Sequence, residues 1–361
     1  MKPIFINGRF LKKPVTGVER FAREIVWELD GILAQMKMPP AVMLIAPQGT
    51  PAPEGLKVIG FKRCGKLQGH AWEQWDLWLA ARHGRLLSLT NSGPFLHGDH
   101  LVVMHDALIY RMPGDYSLPY RFFHRTLGRL LARRATIATV SGFSRQELAG
   151  ALGLEAGRIP VIPDGYEHIL RPQPDLGVLD RLRLRGRPYF LFVGSPVPRK
   201  NLSRAIDAFM SLGRRDVSFA VIGAASSKVF GRQKVFVPEG IVMAGRLTDG
   251  EIAALYRHAL ALVFPSLYEG FGIPPLEAMA LGCPVLAASI PPVQEVCGDA
   301  ALYFDPQDTG AITGRMKEIL ADPSRRQALI EMGRAHCAGF SWKKSAEAIK
   351  HILSVKETKC C

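Results

Sequence analysis

The chain has 361 residues, 48% of them hydrophobic and 22% charged, and carries a net charge of +14. That length suggests two domains and that composition an ordinary globular protein, and a membrane-spanning bundle is excluded because no apolar run approaches the roughly eighteen residues a bilayer helix needs. Cys64, Cys283, Cys297, Cys337, Cys360 and Cys361 show neither metal-ligand spacing nor the density of a disulfide framework, so reduced thiols are expected. The opening "MKPIFINGRF" lacks a signal-peptide core, which predicts a cytoplasmic protein, and the terminal "KCC" reads as a frayed tail in preference to a lipidation site.

Strand-like runs alternate with helical stretches, the grammar of parallel α/β domains. In the first half, strands are expected at "PIFING", "AVMLIAP", "LLSLT", "LVVMHD" and "TIATVS", followed by "PVIPDG". Gly17 in "KKPVTGVERFAREI" heads an amphipathic helix. His105 and Asp106 end a buried strand at the carboxyl edge, where open α/β sheets bind ligands, although a structural role suits a single His as well. The basic excess leans to this half: residues 1 to 150 hold 20 Lys plus Arg against 11 Asp plus Glu. In "PYRFFHRTLGRLLARRAT" Arg121, Arg125, Arg129 and Arg133 recur every four residues, with Phe123, Leu127, Leu130 and Leu131 on another face. Such a helix is either solvated along its arginines or touches anionic lipid headgroups or a lipid-diphosphate substrate.

After the Pro-, Gly- and Arg-rich "LRPQPDLGVLDRLRLRGRP", the natural linker, strands are expected at "YFLFVG", "SFAVIG", "IVMAG", "ALVFPS" and "PVLAAS". "VGSPVPRKNLSRAIDAF" puts Gly194 at a strand end, then Arg199 and Lys200 before a helix that Asn201 or Ser203 could cap, which is the chemistry of a phosphate clamp. In "SLYEGFGIPPLEAMALGCPV" Glu269 and Glu277 stand eight positions apart around Pro274-Pro275, so no single helix face carries both. The reading is strand, glycine-rich loop, then a helix with Pro275 near its first position. Free N–H groups there suit a diphosphate, while Glu277 alone could be a helix-start acid. Last, "FSWKKSAEAIKHILS" carries Trp342, Ala346, Ile349 and Leu353 at helical spacing.

Together these turns resemble the retaining glycosyltransferases of the GT-B fold often called family 4, over nearly the whole chain. The most specific match is "PSLYEGFGIPPLEAMALGCPVLAAS", with the E-x7-E signature at Glu269 and Glu277; "VGSPVPRKNL", "TGVERFARE", "MHDALIYRMP", "TVSGFSRQEL" and "VIPDGYE" follow the family's other turns in order. The resemblance implies an α/β protein of two Rossmann-like domains facing a cleft: residues 1–170 on the acceptor side, a linker at 171–187, a nucleotide-sugar domain at 188–340, and a closing helix and tail at 341–361 that cross back to the first domain. It further implies that Glu269 bonds the donor sugar and Glu277 the ribose. The amides around Phe271, Gly272, Ile273 and Leu276 would lie near sugar and diphosphate, with Gly17 and Gly194 also on the donor. His105 would sit beside the sugar, and Leu247 would hold the base through its backbone. Arg199 and Lys200 would neutralise the diphosphate as the glycosidic bond breaks. The family often has Gly-Arg where this chain has Gly194-Ser195, so Arg199 is expected to substitute from the other side of the turn.

The function expected is transfer of a sugar, with retention and no protein nucleophile, from a nucleotide sugar to a polysaccharide or lipid-diphosphate-linked acceptor. GDP-mannose is the first donor expected, because "FINGRFLKKPVTGVERFAREI" resembles bacterial polysaccharide mannosyltransferases; UDP-sugars come next. With no Asp-x-Asp motif, no metal or cofactor beyond the nucleotide sugar is expected. The arginine stripe would attach the enzyme peripherally to the inner face of the membrane. The competing readings are a nucleotide-sugar epimerase or hydrolase of the same architecture, and a nucleic-acid-binding protein. The first is opposed by the match at 266 to 285, and the second by the lack of aromatic–basic interleaving or a reading module.

Overall fold

The computed structural model describes residues 2–223 and 238–355. It divides into two compact units, one of Met1–Gly165 with Ser341–Cys361 and one of Tyr166–Phe340. The first unit's sheet comprises β1 (Ile4–Asn7), β2 (Val42–Ala46), β3 (Gly60–Arg63), β4 (Arg85–Ser88), β5 (His100–Val103) and β6 (Thr136–Ala138), in the order β3-β2-β1-β4-β5-β6. The second comprises β7 (Tyr189–Val193), β8 (Ser218–Ile222), β9 (Ile241–Gly245), β10 (Ala261–Phe264), β11 (Val285–Ala288) and β12 (Ala301–Phe304), in the order β12-β11-β10-β7-β8-β9. Every pairing is parallel. The two sheets therefore share one doubly wound order, which reverses between β1 and β4 in one and between β7 and β10 in the other. Runs such as Tyr189–Phe192 are buried throughout, as strands covered on both faces must be.

The structure departs from the expected elements in three places. β3, "GFKR", is an edge strand whose last two residues are exposed, so it lacks the apolar run that marks the others. β12, "ALYF", extends the second sheet and was not among the strands expected. "PVIPDG" forms only an isolated bridge, Thr139 to Val161. The segment expected to be a linker belongs to the second unit: Gly177–Arg181 is helical, Asp175 N donates to Gly250 O at 3.0 Å, and Arg181 pairs with Glu251. The division falls at 165/166 and 340/341.

Helices α1 (Gly17–Ala34), α2 (Leu118–Arg134), α3 (Leu202–Met210), α4 (Asp249–His258), α5 (Ile273–Ala280) and α6 (Trp342–Val355) position the residues of interest. The closing helix α6 packs on α1 in the first unit. Trp342, Ala346, Ile349 and Leu353 are buried, the Trp342 ring lies 5.9 Å from that of Phe21, and Ser345 Oγ donates to Pro163 O at 2.5 Å. The apolar stripe legible in the sequence is thus the face that joins this helix to the first unit. Among the described residues no helix is long and apolar enough to cross a membrane.

Candidate active site

The chemistry-bearing turns of the second unit meet at the carboxyl ends of β7 and β10, where its strand order reverses. After β7 the chain makes a 3-10 turn, Pro198–Lys200, and passes through Asn201 in the left-handed region, φ 56°, before α3 begins. Asn tolerates that conformation better than most side chains. The expected cap is absent, since Asn201 makes no capping bond. Its Nδ2 instead donates to Pro265 O at 3.2 Å and Pro306 O at 2.7 Å, while Leu267 N donates to Arg199 O at 2.8 Å. These bonds sew the basic turn to the loop that follows β10.

That loop carries Glu269, buried between the two cations. Lys200 Nζ donates to Oε1 at 2.5 Å and lies 5.2 Å from the centre of the Phe264 ring. Arg199 Nη1 reaches Oε2 at 3.4 Å and Tyr268 O at 3.3 Å. Burial disfavours the Glu269 carboxylate, but the Lys200 and Arg199 charges and the hydrogen bond from Lys200 outweigh it and hold the group below its ordinary pKa. The result is a rigid ion triad with one unit of positive charge to spare.

The two acids occupy different environments. α5 begins at Ile273, two residues earlier than expected, so Glu277 lies beyond the first turn and has no helix-start acid's exposure. His168 Nε2 donates to its Oε1 at 2.8 Å and Tyr256 OH to its Oε2 at 2.9 Å; Tyr256 OH is also 3.3 Å from Pro274 O. Burial first, then the Glu277 charge, pushes the Tyr256 phenol well above its ordinary value, so it stays a donor. Both supporting residues escaped sequence reading: His168 and Tyr256 sit in "GYEHIL" and "LYRHAL", stretches whose only signal is a polar ring in an apolar run. Between the acids, Gly272 adopts φ 127°, which L side chains rarely do, and starts α5. Phe271 turns inward, 5.7 Å from the Phe340 ring, and Leu276 is fully buried, so these two offer a ligand backbone only.

The other expected residues are placed as follows. A methyl group at Gly194 would meet only ordinary contacts, 3.6 Å from Phe192; the close approach belongs to Gly223, where a Cβ would lie 2.1 Å from Gly194 O at φ 152°. Leu247 is partly buried just before the Thr248–Glu251 capping box of α4. In the first unit, Gly17 is exposed at the head of α1. His105 is buried at the end of β5; its Nε2 donates to Leu89 O at 2.9 Å, which leaves Nδ1 as the acceptor. Burial lowers its pKa, with the Leu89 bond and the Asp106 and Glu19 charges opposing. The arginine stripe is incomplete: Arg129 and Arg133 are exposed and Arg121 is partly so. Arg125 turns back to donate to Ile109 O at 3.0 Å and Tyr110 O at 2.9 Å, with its guanidinium 5.7 Å from the Tyr110 ring centre.

The family model for glycosyl transferases group 1 matches residues 181–336. O-antigen chain mannosyltransferase B of Escherichia coli is 31% identical over 264 residues, 67% of either chain. O-antigen chain mannosyltransferase RfbU of Salmonella typhimurium is 26% identical over 279 residues, 73% of this chain and 74% of that protein. Among solved structures, sucrose-phosphate synthase from Thermosynechococcus elongatus superposes with a TM-score of 0.77 at 17% identity, over 99% of this chain and 100% of that one.

The ion triad has a signature in acid. Because the folded-state pKa of Glu269 is depressed, its contribution is complete above the unfolded value of about 4.3 and is lost as pH falls through the folded value. In Lys200→Ala, burial is opposed chiefly by Arg199, so the folded pKa rises. Acid unfolding followed by tryptophan fluorescence should then begin at higher pH than in the wild type; coincident curves would contradict the triad.

Proposed function

The chain belongs to the group 1 glycosyltransferases and is an enzyme, and on that premise we propose that it transfers mannose from GDP-mannose to a growing polysaccharide, with retention of configuration. The observation that carries the reading is the Glu269–Lys200–Arg199 triad at the strand-order reversal of the second unit. The mannosyl assignment is supported by the two O-antigen mannosyltransferase relatives, and UDP-sugars are the donors to test beside it. No observation favours the epimerase, hydrolase or nucleic-acid readings.

In this proposal the diphosphate lies against Lys200, Arg199 and the backbone N–H groups at the head of α5. The spare positive charge of the triad stabilises the negative charge that grows as the bond from the sugar's anomeric carbon to the phosphate oxygen breaks. Glu269 also accepts from donor-sugar hydroxyls, and Glu277, fixed by Tyr256 and His168, accepts from the ribose. The acceptor oxygen bonds the anomeric carbon on the face that the phosphate leaves, and its proton passes to the departing phosphate, so no protein nucleophile is assigned. Protein cations supply the electrostatics, and the transfer is metal-independent.

α2 supports a peripheral membrane site. Its outward face combines Leu118 and Phe122, 68% and 75% exposed, with Arg121, Arg129 and Arg133. Three arginines near an anionic surface supply about 3 kcal/mol, enough for reversible attachment that would present a lipid-linked acceptor.

Three outcomes are expected. Lys200→Ala, folded at neutral pH, should lose at least about tenfold in turnover, since one charge-assisted contact to the leaving group is worth roughly 1.5 to 3 kcal/mol; wild-type turnover would remove the clamp. Transfer should persist in EDTA, and loss restored by Mg²⁺ or Mn²⁺ would overturn metal independence. Co-sedimentation with anionic vesicles should weaken with salt and in an Arg121, Arg129, Arg133→Gln variant; equal binding by variant and wild type would end the membrane assignment.

A further inference from the structure

At the amino edge of the first sheet, where β1, β2 and β4 begin, a recess of about 130 Å³ lies between the sheet, the C-terminal half of α1 and the last turns of α6. Its floor is Ile6, Val42 and Leu87, with Leu29 and Leu33 of α1 on one side and Leu353 of α6 on the other, all of them buried. Among the described residues that line it there is neither an acid nor an aromatic ring. The recess is therefore a hydrocarbon surface, with nothing to stack on a base or a sugar. A dry aliphatic cavity of about 150 Å³ takes up one benzene-sized hydrocarbon, so this one accommodates about five or six carbons of an alkyl chain.

The charged groups around this surface share one sign. Lys2, Arg85 and Lys350 line the recess, Lys350 partly buried and Lys2 exposed. Arg85 Nε donates to Asp99 Oδ1 at 3.1 Å, so that charge is already met. The ammonium groups of Lys2 and Lys350 have no hydrogen bond or ion pair among the described residues. Lysine stems cover apolar surface while the charged end stays in water, so hydrocarbon lies within and two uncompensated positive charges stand at the mouth. The complement of that arrangement is a short aliphatic chain with an anionic head. A membrane lipid suits it less well. α2 runs from the carboxyl edge of the sheet back to β6, so Leu118 and Phe122 at its start lie at the edge opposite the recess, remote from it.

We propose that the recess binds a free medium-chain fatty carboxylate, with the chain end between α1 and α6 and the carboxylate between Lys2 and Lys350. Such a ligand bridges the C-terminal ends of the two helices and stabilises the first unit by mass action. The site is independent of the glycosyltransferase reading, and its test needs no nucleotide sugar. Millimolar sodium octanoate should raise the thermal midpoint of the wild type. By isothermal titration calorimetry it should bind at least about tenfold more tightly than butyrate, which has four fewer methylenes to bury. A Lys2→Gln, Lys350→Gln variant, changed only at the rim, should bind octanoate about fivefold more weakly and octan-1-ol as the wild type does. Leu33→Trp, which fills the recess, should keep the wild-type circular dichroism and lose the octanoate response; if it unfolds, the lysine variant still decides. No binding by the wild type, equal affinity for octanoate and butyrate, equal octanoate affinity in wild type and lysine variant, or full binding by folded Leu33→Trp would overturn the site. Competition by phosphatidylglycerol vesicles at equal free octanoate would give the recess to a membrane lipid and overturn the assignment to a free carboxylate.

Discussion

A carboxylate buried between two cations is the interaction on which the working edge of the second unit depends. Glu269 has surrendered most of its hydration, so Lys200 and Arg199 cannot drift from it without leaving an uncompensated charge, a change that costs about 3 to 5 kcal/mol when one partner of such a pair is removed. The backbone is fixed to match: Leu267 bonds Arg199, and Asn201 spans to the carbonyls of Pro265 and Pro306. Electrostatic stabilisation works best when charges need no rearrangement, and here the positive charge is held in place before any ligand arrives.

The two sheets share one winding and place a buried glutamate with an arginine at the same topological point, but the charge balance differs. In the second unit two cations face one carboxylate and leave one positive charge over. In the first, Arg9 Nε lies 3.0 Å from Glu73, a buried carboxylate that also accepts from Asn7 Nδ2, so the two charges balance. One architecture thus carries two charge balances, which differ by a single extra ammonium group, that of Lys200.

Much of this was legible in the sequence. Buried parallel strands announce themselves as apolar runs, and the Gly and Pro residues between Glu269 and Glu277 require two elements to carry the acids. β3 was hidden because an edge strand such as "GFKR" needs no apolar face. His168 and Tyr256 were hidden because they act through a partner 109 and 21 residues away in the chain, a pairing that only the fold creates. Arg125 looked like its neighbours at four-residue spacing, yet the carbonyls of Ile109 and Tyr110 draw it back, and periodicity carries no information about carbonyls on another segment. Asn201 or Ser203 read as the helix cap because both residue types fit, whereas the left-handed backbone at Asn201 turns its amide across to another strand's loop.

The return of α6 to the first unit has a consequence for how the molecule is made. The second unit is one continuous stretch, 166 to 340, and can close as soon as it has been synthesised. The first is split: its sheet and α1 are complete by residue 165, but the apolar side of α1 around Phe21 is covered only when Trp342 and the turns after it arrive. Domains generally fold in order from the N-terminus during synthesis, at about 5 to 20 residues per second. Here the unit that begins first finishes last, and for the roughly ten to forty seconds that synthesis of the second unit takes at that rate, α1 presents an uncovered hydrophobic face to chaperones and to other nascent chains.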